Sequence, residues 1–337
     1  MLLVGGGDRA AVPAAASPGV EGIPAYRHVV TLVLENEDEP TAFGPNSPAR
    51  YLTSLLSQGA FDDQYHATGH ESLDNYIAMT SGQPVNPLTA GDCIPVNLHT
   101  CAQAQLAMSH GRNIADQLDD AGLSWKQYSE GAPSPCFHAG YGPTAGPDPY
   151  QGAGASPPPA SPDYTDRHDP FLYYPDVVGD DLRCSGHVLP YGQLAVDLAS
   201  DRLPAYSFIT PDTCHDGHDN PCSGRTTGGL AGADAWLAGN VPPLLRYLRS
   251  HDGLLVITFD EGAPTSTDGC CTGGPAGGHG FGGRVGLLAL GAGVATGTVH
   301  SPYDHASLLR TTEDALGLTE HLNNASTARP MSDLFLR

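Results

Sequence analysis

Positive charge is what this chain has least of. Lys126 is the only lysine among 337 residues, and 15 Lys and Arg stand against 37 Asp and Glu, for a formal net charge of −22. Nucleic-acid binding draws most of its affinity from basic side chains that release counterions, and the sequence offers no local basic patch to do so. The same sign disfavours anionic membrane surfaces. Long apolar runs are missing as well. The longest, Val29 to Leu34 and Gly286 to Ala295, fall well short of the roughly 18 residues a membrane-crossing helix needs. There is no P-loop and no G-x-S-x-G elbow, which argues against a nucleotide-driven enzyme and an α/β-hydrolase. Gly278 to Gly283 matches G-x-G-x-x-G by letter, but it precedes a strand instead of joining a strand to a helix, so it carries no dinucleotide reading.

Turn-formers are abundant. The 42 glycines and 30 prolines make up a fifth of the chain, against roughly an eighth in an average protein, and predict long loops. A hydrophobic fraction of 40% still suffices for a large core, with disorder confined to short segments. Met1 to Gly22 has no basic leader and no complete apolar core. Residues 1–24 therefore read as a disordered start, the remnant of a trimmed export signal, and residues 25–337 as one domain. Eight cysteines predict local disulfides in a secreted or periplasmic protein; Cys93 lies close to Cys101, Cys214 to Cys222, and Cys136 and Cys184 flank the Pro-rich middle, while the sequence itself fixes no pairing. Reduced or metal-binding thiols are the alternative. The adjacent Cys270 and Cys271 are expected to pair with other cysteines.

The hydrophobic pattern alternates strands and helices. Strands are predicted over His28 to Leu34, Leu123 to Tyr128, Ala205 to Thr210, Leu254 to Phe259 and Arg284 to Leu290. Helices are predicted from Ser47-Pro48 to Ser57, Leu73 to Thr80 with Ser72 as N-cap, Asn113 to Asp120, Ala233 to Ser250 interrupted around Asn240 to Pro243, and Asp304 to Leu316. Residues 139–185 read as a Pro/Gly-rich inserted loop or lobe. The fold class is α/β, with a mainly parallel central sheet flanked by helices.

Three of the buried strands end in acidic or polar clusters: Glu35-Asn36, Asp212 through Asp219, and Asp260-Glu261. Ligands of open α/β sheets bind beyond the carboxyl ends of strands, so clusters far apart in sequence converge there. Asp212, His215, Asp216, His218 and Asp219 concentrate oxygen and nitrogen ligands suited to Zn, Mn or Mg. Taken singly, each cluster also fits helix caps and turns. Ser72 at a helix start would lie where unpaired N–H groups favour a phosphate, or would be an ordinary capping serine.

Taken in order, these segments resemble the phosphoesterase family that contains bacterial phospholipases C and acid phosphatases, within the alkaline-phosphatase-like superfamily. The resemblance rests on Val29 to Asn36, His70 to Gly82, Gly122 to Glu130, Arg167 to Phe171, Ile209 to Asp219, Gly232 to Leu237, Ile257 to Gly262 and Asp304 to Thr311. It implies an alkaline-phosphatase-like sheet and a phosphoric ester hydrolase with one or two divalent metal ions, Zn first, with Mn, Mg or Ca as alternatives. It implies metal binding by Glu35, Asn36, Asp260 and Glu261, with Asp216 and His218 as second-metal or phosphate contacts. Ser72 would be the nucleophile and Asn75 would hold phosphoryl oxygens. His279, His305 and Asp212 are further candidate contacts. Glu71 and Asp74 stand where the family's pattern has prolines. The expected substrate is a small phosphate ester, hydrolysed by a broad-specificity phosphatase through a phosphoserine. A phospholipase C type phosphodiesterase acting on a phospholipid head group, a sulfatase-like esterase and a non-catalytic extracellular binding module are the alternatives.

Overall fold

The computed structural model describes residues 19–93, 112–137, 161–222, 224, 227–272 and 281–336. A Val- and Leu-dominated run forms β1, His28–Leu34, buried along its whole length. Strands apolar on both faces belong inside a sheet covered by helices, and β1 lies near the middle of one. It pairs in parallel with β6 (Tyr206–Thr210) and β7 (Gly253–Phe259). Outward from β6 come β4 (Trp125–Ser129) and β5 (Val188–Pro190), both parallel.

Beyond β7 the direction reverses. β8 (Leu287–Gly291) is antiparallel to β7 and to β2 (Ala60–Asp62), and β9 (Gly297–Val299) closes that edge parallel to β2. The order across the eight strands is β5-β4-β6-β1-β7-β8-β2-β9. β3 (Tyr65–His66) and β10 (Tyr303–Asp304) form a separate short parallel pair. The expected α/β architecture with a mainly parallel sheet is therefore present.

The helices are α1 (Glu39–Ala42), α2 (Arg50–Leu55), α3 (Ser72–Ser81), α4 (Ile114–Asp120), α5 (Pro175–Val178), α6 (Asp181–His187), α7 (Gly192–Ala199), α8 (Gly229–Ser250) and α9 (His305–Ala315). Every residue of α3 and of α9 is buried, and the two pack on each other. Asn113 caps α4 through a reciprocal capping box with Asp116. Gly82 ends α3 in the left-handed conformation, φ 67°, where glycine carries no Cβ penalty.

Several expectations need correction. α8 runs unbroken for 22 residues through Pro242 and Pro243. Its buried stripe, including Trp236, Leu237, Val241, Leu244, Leu245 and Leu248, packs along the full length and outweighs two missing N–H donors. Ser72 is the first residue of α3 and Glu71 its cap. The last long strand starts at Leu287; Arg284 precedes it in an isolated bridge to His66.

Within the expected disordered start, residues 1–18 lie outside the described residues, whereas Val20 bridges Ile23 and Ile23 is fully buried. Of the expected insertion, residues 139–160 lie outside them; the remainder places Phe171, Leu172, Tyr173 and Tyr174 in the core. The expected disulfides are present, as Cys136–Cys184 and Cys214–Cys222. Cys93 is also disulfide-bonded, and Cys101, its neighbour in sequence, lies outside the described residues. Contrary to expectation, Cys270 and Cys271 pair with each other.

Candidate active site

Parallel pairing delivers the strand-end residues to one place. β1 and β7 are in register to their last residues, Leu34 opposite Phe259, so the next residues, Glu35 and Asp260, emerge side by side. The Asp260 N–H donates to Leu34 O at 2.8 Å, and the Glu35 N–H to Asp216 O at 2.9 Å, which ties the turn after β6 to the same edge. Gly217 lets that turn come close: it has φ 116°, and a Cβ there would lie 2.7 Å from Glu35 O.

Ser72 reaches this edge from α3. Its Oγ–H donates to Glu35 Oε2 at 3.0 Å, and the Tyr76 hydroxyl, one helical turn on, donates to Glu35 Oε1 at 2.8 Å. Glu71, just before Ser72, has φ 76° without being glycine; such strain persists where surrounding structure enforces it and concentrates at functional sites. Asn36 donates to Glu35 Oε2 through its side chain at 3.2 Å and to Asp260 Oδ1 through its backbone at 3.2 Å. The Glu261 N–H donates to Asp260 Oδ1 at 2.6 Å.

Asn75 links Ser72's helix to Glu261. Its side-chain amide donates to Glu261 Oε2 at 3.4 Å and to Gly69 O, while its oxygen accepts from the Thr68 and Gly69 N–H groups. It therefore braces the loop before α3; its oxygen is already occupied.

The imidazole inside the cluster is His168, to which the sequence pattern assigns no role. It is 3% exposed, stacks on Tyr76 at 5.2 Å between ring centroids, and lies 3.2 Å from Glu35 Oε1 and 3.3 Å from Asp216 Oδ2. One ligand atom each from Glu35, His168 and Asp216 lies within 4.8 Å of the others. Burial first, then Arg167, holds the His168 imidazole well below its usual pKa. A neutral ring carries one N–H and cannot donate to both carboxylates.

His168 Nε2, Asp216 Oδ2 and Asp260 Oδ2 are buried with no hydrogen-bond partner. Buried polar atoms are ordinarily satisfied, so these three mark what a cation would complete. Burial, followed by repulsion from Glu35, pushes the Asp216 and Asp260 carboxyls well above their usual range; burial pushes Glu261 up to about 7. A divalent cation inverts that local field, and carboxylate with imidazole suits Zn, Mn or Mg. The residues present fit a metal site.

Above the cluster opens a cavity of about 810 Å³ lined by Asn36, Glu37, His70, Glu71, Ser72, Asp92, Arg167, Gly217, His218, Glu261, Pro264 and Thr267. Among the described residues, Arg167 is the only guanidinium in this lining. His70 Nδ1 faces Glu261 Oε2 at 3.5 Å, and that contact raises the His70 pKa.

His218 lies at the rim. Its Nδ1 is 2.8 Å from Asp219 Oδ1 and its Nε2 3.2 Å from Arg167, so both ring nitrogens are engaged outside the Glu35 cluster. His305 lies beneath it, with Nε2 on the Asp260 backbone oxygen at 2.7 Å and Nδ1 on the Tyr65 hydroxyl at 2.8 Å. Asp212 pairs with His215 at 3.0 Å. The neighbouring Cys214 sulfur is spent in a disulfide, so that group has no thiolate to offer. His279 lies outside the described residues.

Fold comparison agrees with the topology. An alkaline phosphatase superfamily protein from Vibrio parahaemolyticus superposes with a TM-score of 0.57 at 13% identity, over 92% of this chain and 72% of its own. The lipoteichoic acid synthase of Listeria monocytogenes gives 0.57 at 11%, over 96% and 79%. Among curated proteins, a probable acid phosphatase of Kluyveromyces lactis is 31% identical over 72% of this chain and 49% of its own. A phosphatidylinositol-3-phosphatase of Mycobacterium tuberculosis is 25% identical over 93% and 84%, and a phosphate-repressible acid phosphatase of Penicillium chrysogenum 28% over 75% and 52%. The match thus spans about half the length of these two fungal relatives. The family model described as "Phosphoesterase family" matches residues 43–319, most of the chain and most of the site just built, and the protein belongs to that family.

Proposed function

We propose that this protein is a metal-dependent phosphatase of broad specificity that hydrolyses small phosphate esters through a phosphoserine at Ser72. The observation that carries this reading is the Ser72 hydroxyl on the first turn of α3, hydrogen-bonded at 3.0 Å to Glu35 and opening onto the Arg167-lined cavity. Glu35, Asn36, Asp216, Asp260, Glu261 and His168 are the residues to hold one or two divalent cations. Bound there, a cation would polarise the phosphoryl oxygens and lower the pKa of the serine hydroxyl.

The chain's own part follows from its contacts. Ser72 Oγ attacks phosphorus in line while its proton passes to Glu35 Oε2, the acceptor already in place. The phosphorus–ester oxygen bond breaks, and the alcohol departs protonated from solvent. Water then attacks phosphorus and breaks the serine–phosphate bond, the proton held on Glu35 Oε2 returns to Ser72 Oγ, and the water's own proton goes to solvent. Arg167 and the N–H groups at the start of α3 other than that of Leu73 hold the non-bridging oxygens of the bound ester. His218 lies on the cavity rim beside Arg167, as a substrate-side contact. The monoester reading draws on the relatives named as acid phosphatases. The described disulfides, together with the absence of a described helix long and apolar enough to cross a membrane, support a secreted or periplasmic location.

Ser72→Ala tests this. With bound metal unchanged, hydrolysis of a chromogenic monoester is expected to fall by at least about a thousandfold, and undiminished turnover overturns the nucleophile. Chelation is expected to abolish activity where added salt only lowers it. Faster turnover of a diester or a choline phospholipid than of the monoester would replace the phosphatase reading with a phosphodiesterase.

A further inference from the structure

We propose that Asp92 is a positioning residue that aims the Arg167 guanidinium at the substrate phosphate and fixes it relative to Ser72; this rests on the function proposed above. Asp92 is 8% exposed, and its two oxygens hold two different elements. Oδ1 accepts from the Leu73 N–H at 2.9 Å, in the residue directly after Ser72. Oδ2 lies 3.4 Å from Arg167 Nε. One carboxylate thus spans the helix turn that presents the nucleophile and the side chain that supplies the cavity's fixed cation.

The rest of the guanidinium is directed by what surrounds it. Arg167 Nη1 donates to Thr165 Oγ1 at 2.8 Å, which leaves Nη2 on the cavity side, 3.2 Å from His218 Nε2. Asp92 is itself held firmly: it has φ 51°, followed by the disulfide-bonded Cys93 at φ 57°. Two successive non-glycine residues in the left-handed region are uncommon and are retained only where the surrounding structure determines them. A free arginine has many rotamers to lose on gripping an anion. With Nε paired, that loss is incurred on folding, and the second helix N–H, which has no partner within α3, is satisfied by the same side chain.

A double-mutant cycle tests this, read by the KM for a chromogenic monoester and by the calorimetric Kd of inorganic phosphate. Asp92→Asn keeps an oxygen for the Leu73 N–H but turns an N–H donor toward Arg167 Nε. With Arg167 present it is expected to raise KM and phosphate Kd about five- to tenfold, with kcat within about twofold. In an Arg167→Met background the same change is expected to add less than about twofold. An equal effect in both backgrounds, or no change in KM and Kd, overturns the proposal. Arg167→Lys keeps the charge but has no Nε. It is expected to bind phosphate nearly as weakly as Arg167→Met, and wild-type affinity there overturns the pairing even if Asp92→Asn fails to fold. Phosphate binding reads the pair without turnover. Absence of ester hydrolysis by the wild-type protein would sink the proposed function, whereas background-independent effects of Asp92→Asn would sink only this inference.

Discussion

Replacing Tyr76 by Phe deletes one oxygen and little else. The ring is fully buried, stacks on His168 with an interplanar angle of 11° and meets Phe208 edge-on, and a phenylalanine keeps both contacts. The hydroxyl donates to Glu35 Oε1 at 2.8 Å, and burial followed by the Glu35 charge keeps that phenol protonated. Without it, Glu35 Oε1 has only His168 Nε2 at 3.2 Å, which makes no hydrogen bond. Removing a donor from a buried charged acceptor costs about 1.5–3 kcal/mol. The same loss must appear in cation binding if Glu35 is a ligand, because the hydroxyl orients its carboxylate. Loss of such an orienting partner weakens metal sites about 10- to 100-fold, equivalent to about 1.4–2.8 kcal/mol, so two independent routes give one magnitude. Calorimetric titration of metal-stripped Tyr76→Phe with Zn and Mn, against a competing chelator, reads the affinity. Thermal melts with and without metal read the stability. Cation affinity within about twofold of wild type would refute Glu35 as a ligand steadied by Tyr76.

Two further outcomes are expected. Metal-free protein should be more stable at mildly acidic than at alkaline pH. Burial pushes Glu261 and Asp169 up to about 7 and Asp62 and Glu313 up to about 8, so the folded state keeps protons that the unfolded chain releases near its ordinary carboxylate range. Their stabilising contribution is complete below the unfolded pKa and is lost as pH climbs through 7 to 8; melts in chelator across that range check it, and stability that rises with pH refutes it. Separately, Cys136→Ser with Cys184→Ser opens a crosslink over a sequence separation of 48. It is expected to cost about 4 kcal/mol by loop-closure entropy, read from denaturant unfolding, with an unchanged midpoint as the refuting result.

The sheet was legible in the sequence because its strands are buried on both faces and read as unbroken apolar runs. β1 and β7 match the runs predicted for them to within a residue. The metal candidates Glu35, Asp260 and Glu261 were legible for a related reason, since a polar residue just past a buried parallel strand has nowhere to point but the sheet's carboxyl edge. His168 was legible only as part of the matching segment Arg167 to Phe171, with no role attached. It sits in a short 3-10 turn, Asp166–His168, inside a stretch with no periodicity, and only the tertiary fold brings that turn over Tyr76. Asp92 was hidden for the same reason, in a turn whose partners are Leu73 and Arg167. In the other direction, the density of acids and imidazoles from Asp212 to Asp219 does not reveal which side chain faces which way, because neighbours in sequence point to different sides of a tight turn. Asp216 points into the cluster while His218 turns to Asp219 and Arg167.

A net charge of −22 sets a condition on any site meant to take an anion, and the placement of the acids meets it. Glu35, Asp216, Asp260 and Glu261 crowd one buried edge, where burial first and then mutual repulsion oppose ionisation of Asp216 and Asp260. That repulsion is what a divalent cation offsets most strongly, since each added carboxylate raises the gain from binding it. Once such an edge holds a cation, the nearest remaining fixed charges on the cavity wall set the sign felt by a substrate. Arg167 is the cationic one, and Asp92 opposes it only at Nε, on the side facing the helix. The acidic excess and an anionic substrate are therefore compatible because a cation on the buried edge offsets its carboxylates, while Arg167 supplies positive charge among Glu37, Glu71 and Asp92 on the cavity wall. Among the described lining residues that guanidinium is the one the cavity has.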